Sequence, residues 1–193
     1  MIETQKPEEL WQKALAGDQQ AWHSLYEIFG NRVYQFFLKN TRNPELAGDK
    51  VQEVFLRVFK NREAFKYGSL QTWIFRIARN LLIDEWRRSG QKEVLSEILP
   101  DVVDAGVNVE ESVIAAIEHR KMAQHIDECL DYLGEAERLA VCLVYIAGLS
   151  IPEFAEVMEL PLGTAKTRVR QARLKLDSML AERLQLEKYG KNV

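Results

Sequence analysis

Ser69-Leu-Gln-Thr-Trp-Ile-Phe-Arg-Ile-Ala-Arg-Asn-Leu-Leu-Ile-Asp-Glu-Trp-Arg-Arg88 combines two patterns in one stretch. At about 100° per residue, Leu70, Ile74, Ile77, Ala78 and Leu81 fall on one side of a helix. Trp73, Arg76, Asn80, Asp84 and Arg87 fall together on the opposite side. An ordinary solvated face mixes Glu with Lys. This one aligns an indole, guanidiniums and an amide, which stack on bases, pair with phosphates and read base edges. A second stretch points the same way. Gly163 to Leu176 holds Lys166, Arg168, Arg170, Arg173 and Lys175 and no acid. There Thr164, Thr167, Arg168, Gln171 and Lys175 form one stripe, away from the apolar stripe of Ala165, Val169, Ala172 and Leu176. Lys166, Arg170 and Arg173 flank it. A core helix or helical hairpin with a solvated basic face is the plainer reading of each stretch, but it leaves the missing acids unexplained.

The elements that must position these residues are all helical. Pro7 to Ala16 is a short amphipathic helix with Leu10, Trp11, Ala14 and Leu15 on its apolar side. Asp18 is the N-cap of a second helix to about Thr41, carrying Trp22, Leu25, Tyr26, Phe29, Val33, Phe36 and Phe37 at three- and four-residue spacing. Asn43-Pro44 starts a third, to about Asn61, with Val51, Val54, Phe55, Val58 and Phe59 inward. A short basic, aromatic loop with Phe65, Lys66 and Tyr67 leads to Ser69, which caps the next helix. Helix signals fade from Arg88-Ser89-Gly90 to about Asn108, where Pro100 and Gly106 lie among valines and aspartates without period. Residues 91–108 are expected to be an acidic, flexible linker of about 65–70 Å maximum reach. Long helices follow over Val109 to Tyr132 and Glu135 to Ala147, with Gly148 as the stop. Ser150-Ile-Pro-Glu153 is a capping box opening a short helix. Glu159-Leu-Pro-Leu-Gly163 is a tight turn before the basic helix. Short helix, turn, basic helix is the pattern of a DNA-binding helix-turn-helix, whose early second-helix residues reach base edges while flanking bases hold phosphates. The expected fold is all-α: two small helical domains, 1–90 and 109–193, joined by the linker.

The formal net charge of -3 is unfavourable for a nucleic-acid binder, but the charge is local. Between Gln91 and His125, Lys92, Arg120 and Lys121 face seven acids: Glu93, Glu97, Asp101, Asp104, Glu110, Glu111 and Glu118. No apolar run reaches membrane-spanning length and the start lacks a signal-peptide core, so a cytoplasmic protein without a membrane anchor is expected. Cys129 and Cys142 give no disulfide framework. His125 and Cys129 share a helical spacing that could place two metal ligands on one face, but no second ligand pair lies near in sequence, and helix packing is the expected role. His23, beside Trp22, is expected to be structural. No phosphate-cradling glycine loop, nucleophile elbow or metallohydrolase pattern occurs, so neither catalysis nor a cofactor is expected.

Asp49-Lys-Val-Gln-Glu-Val-Phe-Leu-Arg-Val-Phe59, followed by Ser69 to Asn80 and Asp84, resembles the second conserved domain of bacterial RNA polymerase sigma factors. Gly148-Leu-Ser150, Glu153-Phe-Ala155, Gly163-Thr-Ala-Lys-Thr-Arg168 and Gln171-Ala-Arg173 resemble their fourth domain. The two-domain layout without an intervening third is similar to the extracytoplasmic-function group. The chain departs from common family patterns at Leu133-Gly-Glu-Ala-Glu-Arg138 and at Leu143-Val144-Tyr145, positions that bear on seating on polymerase. The resemblance implies that Asp49, Gln52, Glu53 and Leu56 dock on the clamp helices of the largest polymerase subunit, and the fourth domain on the flap of the second. It implies that Lys66, Tyr67, Trp73, Arg76, Arg79, Asn80 and Arg87 capture and melt the element just upstream of the start, Asn80 and the loop holding a flipped base. It implies that the helix-turn-helix reads a more distant duplex element, chiefly through Lys166, Thr167, Arg168 and Gln171. An anti-sigma partner is common in the group and is implied as an option here. Two other readings stay open: a helix-turn-helix regulator that never joins polymerase, and a sigma-like decoy that binds core only.

Overall fold

The structure, a computed structural model, describes residues 6–66, 68–90 and 125–190. The expected linker, residues 109–124 of the expected long helix, and Tyr67 lie outside the described residues. Among the described residues every regular element is helical.

The first group comprises α1 (Pro7–Leu15), α2 (Gln19–Thr41), α3 (Pro44–Lys60), a 3₁₀ turn (Arg62–Ala64) and α4 (Leu70–Arg88). The start signals act as their chemistry dictates. Asp18 Oδ1 accepts from the Gln20 and Ala21 amides at 2.8 and 3.2 Å. Asn43 Oδ1 accepts from the Leu46 amide at 3.0 Å, with Pro44 in the first turn. Ser69 Oγ accepts from the Thr72 amide at 3.3 Å. Each cap satisfies a donor that the first helical turn leaves without a partner. α2 ends at Arg42 in the left-handed region, φ 54°. Phe29, Val33, Phe36 and Phe37 of α2 are wholly buried against α3 and α4.

The second group comprises α5 (residues 125–132), α6 (Glu135–Val141), α7 (Ile151–Met158) and α8 (Leu162–Gly190). The single helix expected from Glu135 to Ala147 is instead α6 followed by a π-turn over Cys142–Ile146. The wider turn buries both Cys142 and Leu143, and packs this segment on α2. Gly148, at φ +76°, ends it. The Ser150–Glu153 capping box forms as expected: Ser150 Oγ accepts from the Glu153 amide, and Glu153 Oε2 accepts from the Ser150 amide at 2.9 Å. Glu159, at φ 57°, makes the turn from α7 to α8.

Buried apolar residues of both groups form one continuous cluster. Phe36 sits near its centre, edge-to-face with Phe37 at 5.3 Å and Phe75 at 5.9 Å. Phe36→Ala is expected to lower stability by about 3–5 kcal/mol in urea denaturation, the range for emptying a buried aromatic site. A loss below about 1 kcal/mol, as for a site that collapses freely, would place Phe36 outside the rigid core.

Candidate functional site

Three surfaces carry the residues singled out by the sequence. The first is the outer face of α3. Asp49 and Gln52 are exposed, Glu53 is half-buried and Leu56 is 56% exposed, all along one side. Burial favours the neutral form of the Glu53 carboxyl, but hydrogen bonds from Lys50 and Arg57 outweigh it and hold the group below its ordinary value. Beside this row the structure adds apolar side chains, including Phe59, which apolar spacing alone places inward. Phe59 is 49% exposed and Tyr26 of α2 is also exposed. The Tyr26 and Phe55 rings lie 4.8 Å apart, and Trp22 meets Phe59 at 5.3 Å. The missed signal was angular. At about 100° per residue Phe59 stands roughly 100° from the middle of the Ala47–Val51–Val54–Val58 stripe, too far round to share its burial. The result is an apolar strip with an acidic edge.

The second surface is the loop after α3 together with α4. Lys66 and Asn80 are exposed, and Asn80 Oδ1 accepts from Arg79 Nη1 at 3.0 Å. Arg87 is exposed, 3.9 Å from Asp84. Trp73 is not an open stacking platform. It is half-buried, with its ring 5.3 Å from Phe65 and 5.5 Å from Trp11. The buried side of α4 also differs from the five-residue stripe: Ile77 is only half-buried, whereas Thr72, Phe75, Leu82, Ile83 and Trp86 are buried. The reason is that α4 is covered from three sides, by α2, α3 and α7, and periodicity reveals none of these neighbours.

The α4–α7 contact is electrostatic as well as apolar. Arg76 Nη2 donates to Glu156 Oε1 at 2.6 Å, Arg79 Nη1 lies 3.6 Å from Glu159 Oε1, and Thr72 Oγ1 donates to Glu153 Oε1 at 3.1 Å. Gln71 Nε2 donates to the Ala147 carbonyl at 2.7 Å. At the far end of α2, Lys39 and Arg42 pair with Asp127 and Asp131 of α5. In these ion pairs between the groups, the first supplies the bases and the second the acids. Burial favours the neutral form of Glu153, but hydrogen bonds from Ser69, Ser150 and Thr72 outweigh it and hold its carboxyl below the ordinary value.

The third surface is the start of α8. Ala165, Val169, Ala172 and Leu176 are buried, as their spacing predicts. Lys166 is exposed; Thr164, Thr167, Arg170 and Gln171 are half-buried. Arg168 departs from the periodic expectation. It is only 9% exposed, and burial pulls its guanidinium below the usual range. Arg173 lies 3.5 Å from Asp177 in the same helix, and Lys175 Nζ donates to Glu137 of α6 at 2.7 Å, tying α8 to the scaffold. Burial pushes the Cys142 thiol up to about 12 and raises Cys129 as well, so neither is a ready nucleophile or thiolate ligand. Among the described residues no group of three His, Cys, Asp or Glu could hold a metal, and no helix is long and apolar enough to cross a membrane.

Two helical groups, one with an amide–guanidinium face and the other with a helix-turn-helix, define an all-α protein whose charged faces match nucleic-acid chemistry. Comparisons with known proteins give the class its name. A family model of sigma-70 region 2 matches residues 25–92, and one of sigma-70 region 4 matches residues 123–176. The extracytoplasmic-function (ECF) RNA polymerase sigma factor SigW of Bacillus subtilis is 29% identical over 176 residues, 86% of this chain and 92% of that one. SigE of Mycolicibacterium smegmatis, of the same type, is 33% identical over 170 residues, 86% of this chain and 65% of that one. Among solved structures, CnrH in complex with the cytosolic domain of CnrY aligns with a TM-score of 0.62 at 23% identity, covering 90% of this chain and 96% of that one. RpoE in complex with the anti-sigma factor NepR, from Bartonella quintana, aligns at 0.60 and 22%, covering 82% and 95%. The chain belongs to the sigma-70 family of RNA polymerase sigma factors and is of the extracytoplasmic-function type.

The lowered Glu153 value fixes a pH sense for the α4–α7 contact. A carboxyl depressed on folding contributes fully above its ordinary value, about 4.3, and loses that contribution as pH falls through the lowered one. Energy transfer between dyes at Lys60→Cys and Ser178→Cys is therefore expected to hold from neutral pH to the ordinary carboxylate range and to drop below it. Glu153→Gln is expected to lower transfer already at pH 7, and transfer equal to that of the parent protein would refute the role of this carboxylate.

Proposed function

We propose that this sigma factor uses the three surfaces in turn. The outer face of α3, with Asp49, Gln52, Glu53 and Leu56 and the neighbouring Phe59 and Tyr26, seats on the clamp helices of the largest polymerase subunit. Lys66, Tyr67, Arg76, Arg79, Asn80 and Arg87 engage the melted upstream element, Asn80 holding an extruded base and the arginines its backbone, while Trp73 backs the loop from the aromatic cluster. Extrusion costs a few kcal/mol of stacking, which these contacts must return. The helix-turn-helix takes the distant duplex element, with Thr164, Lys166, Thr167 and Gln171 toward base edges and Arg170 and Arg173 toward phosphates. Lys175 serves both the scaffold and the duplex edge, and Arg168 joins the readers once α8 meets its site. Residues 1–90 and 109–193 act as separate domains, the second also contacting the flap of the second polymerase subunit. The work is done in the cytoplasm, where core polymerase resides. An anti-sigma partner is proposed as well, on the likeness to the RpoE–NepR complex.

The observation that carries this reading is that one compact helical group bears both the exposed α3 strip and the exposed Asn80. A simple repressor needs only the helix-turn-helix. Run-off transcription with bacterial core polymerase on a genomic-fragment pool, read at the 5′ ends, tests it. Shared start sites below a two-part motif are expected. Duplex binding without core binding would mean a plain regulator, and core binding without transcripts a decoy. Asn80→Ala is expected to impair open-complex formation while leaving core binding near normal; equal loss of both would remove Asn80 from base capture.

The closed arrangement sets a condition on this function. Arg76 and Arg79 already face Glu156 and Glu159, so promoter capture must exchange carboxylate for phosphate. The contact to Glu156 uses one guanidinium nitrogen of Arg76, whereas a phosphate accepts the bidentate fork. Glu156→Gln with Glu159→Gln is therefore expected to raise the affinity of the free protein for a single-stranded promoter oligonucleotide several-fold, as two partly exposed pairs of about 0.2–1 kcal/mol each allow. Unchanged affinity would mean that the two pairs do not compete with DNA.

A further inference from the structure

Helix α1 lies outside the region-2 match, which begins at residue 25. Its central side chain is nevertheless the hub of the aromatic cluster behind the recognition loop. Trp11 is completely buried. Its indole meets three rings from three different elements: Trp22 of α2 at 5.3 Å and 75°, Phe65 of the loop at 5.6 Å and 88°, and Trp73 of α4 at 5.5 Å and 73°. Phe65 and Trp73 also meet each other at 5.3 Å. Leu10 and Ala14 are buried alongside, and Trp22 Nε1 donates to the Ala14 carbonyl at 3.1 Å, fixing α1 on α2.

Among its described residues the loop shows few anchors of its own. It opens with one 3₁₀ turn, in which the Ala64 amide donates to the Asn61 carbonyl at 2.9 Å, and reaches Gly68 at φ +100° before the Ser69 cap. Between turn and cap, Phe65 is packed on the core whereas Lys66 and Gly68 are exposed. The place of Lys66 therefore follows from where the Phe65 ring is held, and Trp11 closes that seat from one side. Trp11 Nε1 finds no hydrogen-bond partner among the described residues, so the indole is held there by its ring contacts rather than its donor.

We propose that Trp11 is a positioning residue for promoter opening: through Phe65 and Trp73 it fixes the loop that receives the melted strand. This rests on the loop's role proposed above. A functional group displaced by about 1 Å loses much of its effect even when the scaffold around it is intact. Phenylalanine keeps an aromatic ring at the hub and removes the unpartnered donor, whereas leucine fills much of the space without offering a ring.

The test uses the full chain with core polymerase and three templates: duplex promoter, pre-melted promoter, and a single-stranded oligonucleotide of the upstream element. For Trp11→Leu, core affinity and the duplex affinity of the helix-turn-helix are expected to stay within about twofold, while capture of the single strand falls about tenfold or more. Discrimination among bases at the captured position is expected to fall with it, on the pre-melted template as well. A scaffold role alone would not change base preference there. Trp11→Phe is expected to restore both. Phe65→Leu, which removes the loop's side of the same contact, is expected to reproduce the loss, and this variant decides if Trp11→Leu fails to fold. Near-UV circular dichroism reads the cluster directly, since all four tryptophans (Trp11, Trp22, Trp73 and Trp86) lie in the first group. Full single-strand capture and unchanged base preference in a folded Trp11→Leu or Phe65→Leu protein would overturn the proposal. So would loss of core binding in step with strand capture. Absence of transcripts from the parent protein would instead strike the underlying sigma reading of the loop.

Discussion

Helix α4 has one circumference, and three demands compete for it. Phe75, Ala78, Leu81 and Leu82 must enter the core, or the first helical group loses its centre. Trp73 must lean into the aromatic cluster, or the loop before it loses its backing. Asn80 and the arginines must remain reachable by a ligand. A helix presents about 3.6 residues per turn, so these demands leave little surface unassigned. In the described arrangement the remainder is shared between solvent and α7, where Glu156 and the capping Glu159 take Arg76 and Arg79.

That sharing explains how an acidic protein carries strongly basic working surfaces. The bases of α2 and α4 are matched by Asp127, Asp131, Glu156 and Glu159 of the second group. In each pair the carboxylate stays solvated while the base is partly covered, and such pairs are individually weak and screened by salt, so the interface closes without locking. The apolar contacts beneath it, and the Gln71 and Thr72 hydrogen bonds at its centre, give it register. A ligand with a regular row of phosphates offers the same arginines a better geometric match than single carboxylates do.

Much of the architecture is legible in the amino-acid sequence. Asp18, Asn43, Ser69 and Ser150 mark helix starts because a side-chain oxygen preceding a helix has one local task, and each performs it. Gly148 and the Glu159–Pro161 turn bracket α7 for equally local reasons. The apolar stripe of α8 is legible because it faces its own group. The differences between expectation and fold concern places where two elements meet. The π-turn at Cys142–Ile146 reflects packing on α2, and no nearby residue signals it. Phe59 is apolar yet exposed, and Arg168 is charged yet buried, so residue type alone misassigns both.

Residue types at short spacing suffice for most of the described helices, their caps, the helix-turn-helix and the family to which the chain belongs. They do not reveal that Arg76 faces Glu156, eighty positions away, or that Trp73 serves the loop rather than standing open; the folded chain sets both. Folding also joins Trp11 to Phe65 across more than fifty residues. Helical periodicity assigns a side chain to a face, but it carries no information about which distant element will cover that face. Such contacts form only when the chain closes on itself, and their partners are chosen by the shape and charge of the assembled surfaces.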